Sequence, residues 1–213
     1  GVDPDDPASW TTPVVRLPTP MRPPFAAAAT APKLLALYER LLAGVAWRRP
    51  ATAAGTIPVR FPHADDPGDA GWHLDAGFVA DDGQLSIDRT SRGRGLVCLF
   101  LFDDVGEADA PTDLLVGSQR DLPPVLDRFG DRGADFVTVA GALDPATLAR
   151  PVRRATGRAG DVYVLHPFVV HRATWPHRGT RPRAVAQSGV TLPAGLDFAA
   201  GTSPVERAVS TGR

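Results

Sequence analysis

Between residues 30 and 45 the apolar positions recur at helical spacing. Leu34, Leu37, Tyr38, Leu41, Leu42 and Val45 form one stripe, with Thr30 placed to cap, Pro32 in the first turn and Gly44 as a stop. After Pro50 the period changes to short extended runs split by Gly, Pro and Asp. Strands are predicted over 57–61, 72–75, 84–87, 96–102, 113–116, 135–139, 152–155, 162–166, 168–173 and 183–191. The run 96–102 is apolar at every position, so both of its faces should be covered. Helical turns are expected at 122–129 and at 145–150, the second behind Asp144. Residues 1–29 are Pro-rich and aperiodic, and read as an extended arm on a single domain spanning 1–213.

Many short strands with regular turn signals imply a sandwich or a barrel. The gaps between them are too short for the crossover helices of a parallel sheet. Composition agrees: 213 residues, 43% apolar, suffice for a core that closes without staples. A net charge of −1 argues against a nucleic-acid groove or an anionic membrane surface as the main partner. The single cysteine, Cys98, excludes an internal disulfide framework and a Cys-rich zinc site, and reads as a small buried hydrophobe. No apolar run approaches the roughly 20 residues of a membrane span. Residues 1–7 are acidic and Pro-rich, unlike a signal peptide, so a cytoplasmic address is expected. A start at Gly1 without Met reads as a trimmed chain. Oligomeric state is not legible.

The candidate chemistry lies in the histidines. His73 and Asp75 stand at i and i+2, which on a strand puts imidazole and carboxylate on one side. His171 falls on a later strand. Two histidines and one carboxylate on one face of an octahedral ion, with open positions opposite, form the ligand pattern of non-haem Fe(II) oxygenases. His166 reads as a structural residue at a strand end, and His63 and His177 as surface residues in polar loops. Arg60, on the strand before the first ligands, could project toward substrate or cosubstrate or form a salt bridge at the rim.

The segment GDVYVLHPFVVH (160–171) followed by RPRAVAQ (181–187), with GWHLDAG (71–77) upstream, resembles the phytanoyl-CoA dioxygenase family of Fe(II)/2-oxoglutarate oxygenases. The stretch APTDLLVGSQRDL (110–122), with Gln119 where the family usually has His, and the closing SPVERA (203–208) are similar too. The family usually opens with a helix and a strand before the point where this chain begins, and the turn after His171 is one residue longer here. The resemblance implies a mostly β, cupin-like double-stranded β-helix, a jelly roll with a few flanking helices. It implies His73, Asp75 and His171 as ligands of Fe(II), with 2-oxoglutarate and O2 as cosubstrates. A guanidinium should hold the far carboxylate of 2-oxoglutarate, because its fork matches a carboxylate. Arg183 is the first choice and Arg181 the reserve, with the Thr174 hydroxyl on the same anion. The implied reaction oxidises an unactivated C–H of a small organic substrate and releases succinate and CO2. Retention of Asp75 favours oxygen transfer over halogenation.

An alternative class is a metal-binding cupin without redox chemistry, an isomerase or a small-molecule binding module, which would leave Arg183 unexplained. A Ser-His-Asp hydrolase is disfavoured, since no G-x-S-x-G elbow is present. Substrate contacts are expected from the arm at 1–29, the loop 77–83 and the insert 118–130.

Overall fold

The computed structural model describes residues 2–75 and 77–209. The two ends of the predicted span, residue 1 and residues 210–213, lie outside the described residues. The strands are β1 (Val14–Leu17), β2 (Ile57–Arg60), β3 (Phe78–Val79), β4 (Leu85–Ile87), β5 (Leu96–Leu101), β6 (Thr112–Leu115), β7 (Ala134–Asp135), β8 (Val152–Ala155), β9 (Val162–Leu165), β10 (His171–Arg172) and β11 (Arg183–Val190). The helices are α1 (Pro23–Ala29), α2 (Pro32–Leu41), α3 (Leu122–Leu126), α4 (Phe136–Gly141), α5 (Pro145–Leu148) and α6 (Pro204–Arg207).

The strands form a five-stranded sheet in the order β1-β2-β11-β5-β9, a three-stranded sheet β10-β6-β8, and a small sheet β3-β4-β7. All their pairings are antiparallel. The architecture is mostly β, with antiparallel sheets and few, short helices.

The apolar strand β5 is buried at every position, and its two faces serve two cores. Leu96, Cys98 and Phe100 pack with Tyr38, Leu42 and Ala29 of the helical layer. Val97, Leu99 and Leu101 face inward with Leu114 of β6 and Val185 of β11. Each fully buried Leu contributes about 1.5–3 kcal/mol of transfer free energy. A third cluster, around Leu74, Leu115, Leu122, Phe168 and Val170, fixes the insert carrying α3 beside the second sheet.

Several local expectations are corrected. The arm is not merely extended: Val14–Leu17 pairs with β2, and Pro23 and Pro24 open α1, where fixed φ and a missing N–H cost little. Thr30 closes α1 through a 2.8 Å bond to the Ala26 carbonyl instead of capping α2. Leu37 points outward at 37% exposure, and Leu35 packs on the core in its place. Of the span 135–139 only Asp135 is strand, as the end of β7. Asp135 accepts hydrogen bonds from the Val137 and Thr138 amides and starts α4, so a cap overrides the β-propensity of two valines. The strand expected over 72–75 reduces to one bridge at His73, and that over 168–173 to His171–Arg172. His63 and His177 are not loose surface loops. They pair with each other in an antiparallel bridge, and His177 is buried.

Candidate metal centre

His73 and His171 are hydrogen-bonded backbone partners. The His73 amide donates to the His171 carbonyl at 2.9 Å, and the His171 amide donates back at 3.0 Å. This reciprocal pair sets the two side chains on the same side of the pleat, with ring centroids 4.6 Å apart. Backbone alternation near His73 persists without a full strand: Leu74 is wholly buried in the third cluster, while His73 and Asp75 turn the other way, toward His171. One nitrogen from each ring and one oxygen of Asp75 lie within 4.8 Å of one another.

Hydrogen bonds to backbone carbonyls fix which atoms are offered. His73 Nδ1 lies 2.8 Å from the Gly71 carbonyl, and His171 Nδ1 lies 3.0 Å from the Val169 carbonyl. A carbonyl only accepts, so each Nδ1 carries its proton and each Nε2 keeps its lone pair. His171 Nε2 is buried without a hydrogen-bond partner, and its nearest carboxylate oxygen, Asp75 Oδ1, is 3.7 Å away. That distance is too long for a hydrogen bond. An orphaned buried lone pair beside a carboxylate oxygen and a second imidazole fits a divalent cation of borderline softness such as Fe(II).

The three groups are electrostatically coupled. Burial opposes ionisation of Asp75, yet its contacts with His171 and the nearby Arg94 hold its carboxyl well below the usual range. Burial likewise opposes charge on His171, and Asp75 outweighs it, so that imidazole is shifted upward. His73 is shifted downward by burial and by its neighbour His171. Arg172 anchors the surrounding backbone. Its guanidinium lies 4.3 Å from the Trp72 ring centre and donates to buried Asp113 on β6 at 3.0 and 3.1 Å.

A cavity of about 530 Å³ opens between the five-stranded sheet and β10-β6, and His73 and His171 line it. Alternate residues of β11, Arg183, Val185 and Gln187, face it in the period-two pattern of a strand. Arg183 is buried at 3% exposure. It donates from Nε to the Asp109 carbonyl at 3.1 Å and from Nη2 to the Ala110 carbonyl. Among the described residues no carboxylate lies within ion-pair distance of it. Burial, then the neighbouring Arg60, pull its pKa down to about 9. Arg60, its cross-strand partner on β2, also lines the cavity but is neutralised by Asp69 at 2.7 Å, which in turn pairs with Arg16 of β1.

The other sequence candidates fall elsewhere. Arg181 is exposed and lines separate clefts beyond Pro182. The Thr174 hydroxyl donates to the Pro111 carbonyl at 2.6 Å, in a crevice with Trp175 and His177. His166 packs between Phe168 and Phe198, away from the cavity. Of the expected substrate-facing segments, Arg16 in the arm lines the cavity, whereas 77–83 and 118–130 do not. The remaining wall is α4, through Phe136, Val137 and Ala140. Sequence reasoning does not single out Gln187: the strand period puts it on the face of Arg183, but a lone amide carries no further signal.

The sequence profile of the phytanoyl-CoA dioxygenase (PhyH) family matches residues 23–185. The chain belongs to the phytanoyl-CoA dioxygenase family. This is a family of Fe(II)- and 2-oxoglutarate-dependent oxygenases, and the His-Asp-His cluster lies inside the matched span. No curated protein matches the chain. Among solved structures, this PhyH chain is similar to the non-haem α-ketoglutarate-dependent carbocyclase SnoK from nogalamycin biosynthesis (17% identity, TM-score 0.47, 84% of this chain and 62% of that one). It is also similar to HygX from Streptomyces hygroscopicus with nickel, 2-oxoglutarate and hygromycin B bound (18%, 0.48, 90% and 74%). A third likeness is to EctD from S. alaskensis in its apoform (14%, 0.42, 93% and 64%). The PhyH chain thus spans under two thirds of the length of SnoK. Among the described residues no helix is long and apolar enough to cross a membrane.

Proposed function

We propose that this chain is a 2-oxoglutarate-dependent dioxygenase in which His73, Asp75 and His171 hold Fe(II) and Arg183 holds the far carboxylate of 2-oxoglutarate. The observation that carries the reading is the meeting, at one cavity, of His73 and His171, whose nitrogens lie within 4.8 Å of an Asp75 oxygen, with a buried guanidinium that among the described residues has no carboxylate within ion-pair distance. When bound, the iron would supply O2 activation coupled to decarboxylation of 2-oxoglutarate to succinate and CO2.

The protein's part is positioning. Nδ1 bonds to backbone carbonyls keep both Nε2 atoms aimed at one point. Arg183, immobilised by the Asp109 and Ala110 carbonyls, keeps further N–H donors for a carboxylate arriving in a water-poor cleft. The substrate, a small organic molecule, would lie against α4, where Phe136 stands with its ring centre 6.4 Å from that of His73. A redox-inert metal cupin leaves Arg183 without a ligand to explain its burial. The cytoplasmic address belongs to this proposal and rests on the lone, buried, free Cys98.

The test is anaerobic. Fe(II) plus 2-oxoglutarate should give a weak visible charge-transfer band, and 2-oxoglutarate should raise the melting temperature of the Fe(II)-loaded protein. The band should vanish in His73→Ala. No band and no thermal shift in the wild-type protein would sink the reading.

A further inference from the structure

Gln187 has no role in the account so far, yet it touches the metal centre. It lies on β11 four residues after Arg183 and faces the same cavity. Its place is fixed by the ladder, in register with Leu99 of the doubly buried strand β5. Its side-chain amide donates from Nε2 to Asp75 Oδ2. The Arg94 guanidinium stands 3.9 Å from that same oxygen. The other oxygen, Oδ1, is the one facing His171 Nε2. The two carboxylate oxygens are therefore unequal: one is held by the protein, and the other is turned to the cluster.

We propose that Gln187 is a positioning residue that clamps Asp75 Oδ2, so that the carboxylate presents a single oxygen, Oδ1, to the metal. This rests on the reading of His73, Asp75 and His171 as ligands. The physical consequence is a defined coordination number. A carboxylate free to turn can chelate through both oxygens and take up a position needed by cosubstrate or O2, whereas one whose far oxygen already accepts hydrogen bonds keeps its orientation. Only a donor suits the position. A carboxylate there would face Oδ2 with like charge, and an apolar side chain of the same length would leave Oδ2 short of a partner. Because β11 also carries Arg183, one strand would orient both the metal's acidic ligand and the cosubstrate's anchor, four residues apart on one face.

The probe is Mn(II), titrated into the full chain and followed by electron paramagnetic resonance, with circular dichroism as the check on folding. Gln187→Met, similar in length and without a donor, should bind Mn(II) about ten- to a hundredfold more weakly. Its spectrum at saturating Mn(II) should also differ from wild type, which a purely structural role would not cause. Gln187→Glu should lose at least as much, and it serves if the methionine variant does not fold. Asp75→Ala and His171→Ala, run alongside, separate the two claims. Retention of Mn(II) by these two overturns the ligand reading. Their loss of Mn(II), with less than a tenfold loss or an unchanged spectrum in both Gln187 variants, overturns the role of Gln187 alone.

Discussion

The two walls of the cavity are built differently. On one side Arg183, Val185 and Gln187 sit on β11, and His171 sits on β10, each with a hydrogen-bonded register partner in a neighbouring strand. Arg183 and His171 are almost completely buried. On the other side α4 is six residues long, and its Phe136 and Val137 are 50% and 64% exposed. The ladder wall holds groups whose positions must not drift, because a small displacement of a catalytic constellation is costly. The helical wall carries apolar side chains that could change without breaking a ladder bond. Under the proposed function, metal and cosubstrate fall to the ladder side and substrate selection to the helix.

The sharpest way to break this division is at Arg183. Arg183→Lys keeps the charge but loses the fork, and it forfeits charge-assisted bonds worth about 1.5–3 kcal/mol. The Kd for 2-oxoglutarate should rise roughly ten- to a hundredfold at fixed Fe(II), with metal affinity unchanged. Arg183→Ala is the poorer test, since it also strips the buried Asp109 and Ala110 carbonyls of a donor. Arg181→Ala should leave 2-oxoglutarate binding alone, because that side chain does not line the cavity that holds His73 and His171. Calorimetric titration decides it: equal effects at 181 and 183 would abolish the distinction between the walls.

A smaller effect is expected at Phe136. Half of the aromatic side chain is exposed, and a substrate that covers about half to two thirds of that surface gains about 1–2 kcal/mol at about 25 cal/mol/Å². Phe136→Ala should therefore raise the substrate KM roughly five- to thirtyfold. Substrate-free turnover of 2-oxoglutarate should stay within a factor of two. A matching rise in the KM for 2-oxoglutarate would show that α4 serves both ligands.

The same contrast explains what could be read from the chain. The ladder side was legible in part because its chemistry follows the strand period, with His73 and Asp75 two apart, whereas Arg183 stood out only through the family resemblance. Gln187 obeys that period as well, but a lone amide in a strand carries no charge signal, so only its contact with Asp75 reveals it. The helical side was misread at α4, where Phe136, Val137 and Val139 resemble a strand and the decisive feature is the capping carboxylate of Asp135. The arm was misread for a related reason. Its prolines look like breaks, yet two of them begin a helix, and β1 is a strand only because β2 offers it a partner. Local composition cannot report a partner that lies 40 or more residues away.

The finest test of the helical wall uses that cap. Asp135 accepts from the Thr138 hydroxyl at 2.6 Å and from the Thr138 and Val137 amides at 3.0 and 2.9 Å. These bonds, those from Thr138 foremost, lower its pKa from the ordinary 3.8. A depressed carboxyl contributes stability that is complete above the unfolded value and is lost as pH falls through the folded one. On acidification below about pH 4, the α4 amides should therefore lose hydrogen-exchange protection before those of β5, which owe nothing to this group. Asp135→Asn should still cap α4, since asparagine is a comparable N-cap, but without a titrating group. The early acid-induced loss should then disappear while protection at neutral pH is kept. If α4 and β5 lose protection together in both proteins, the helix is not an independently adjustable wall, and substrate selection must be sought among the ladder residues.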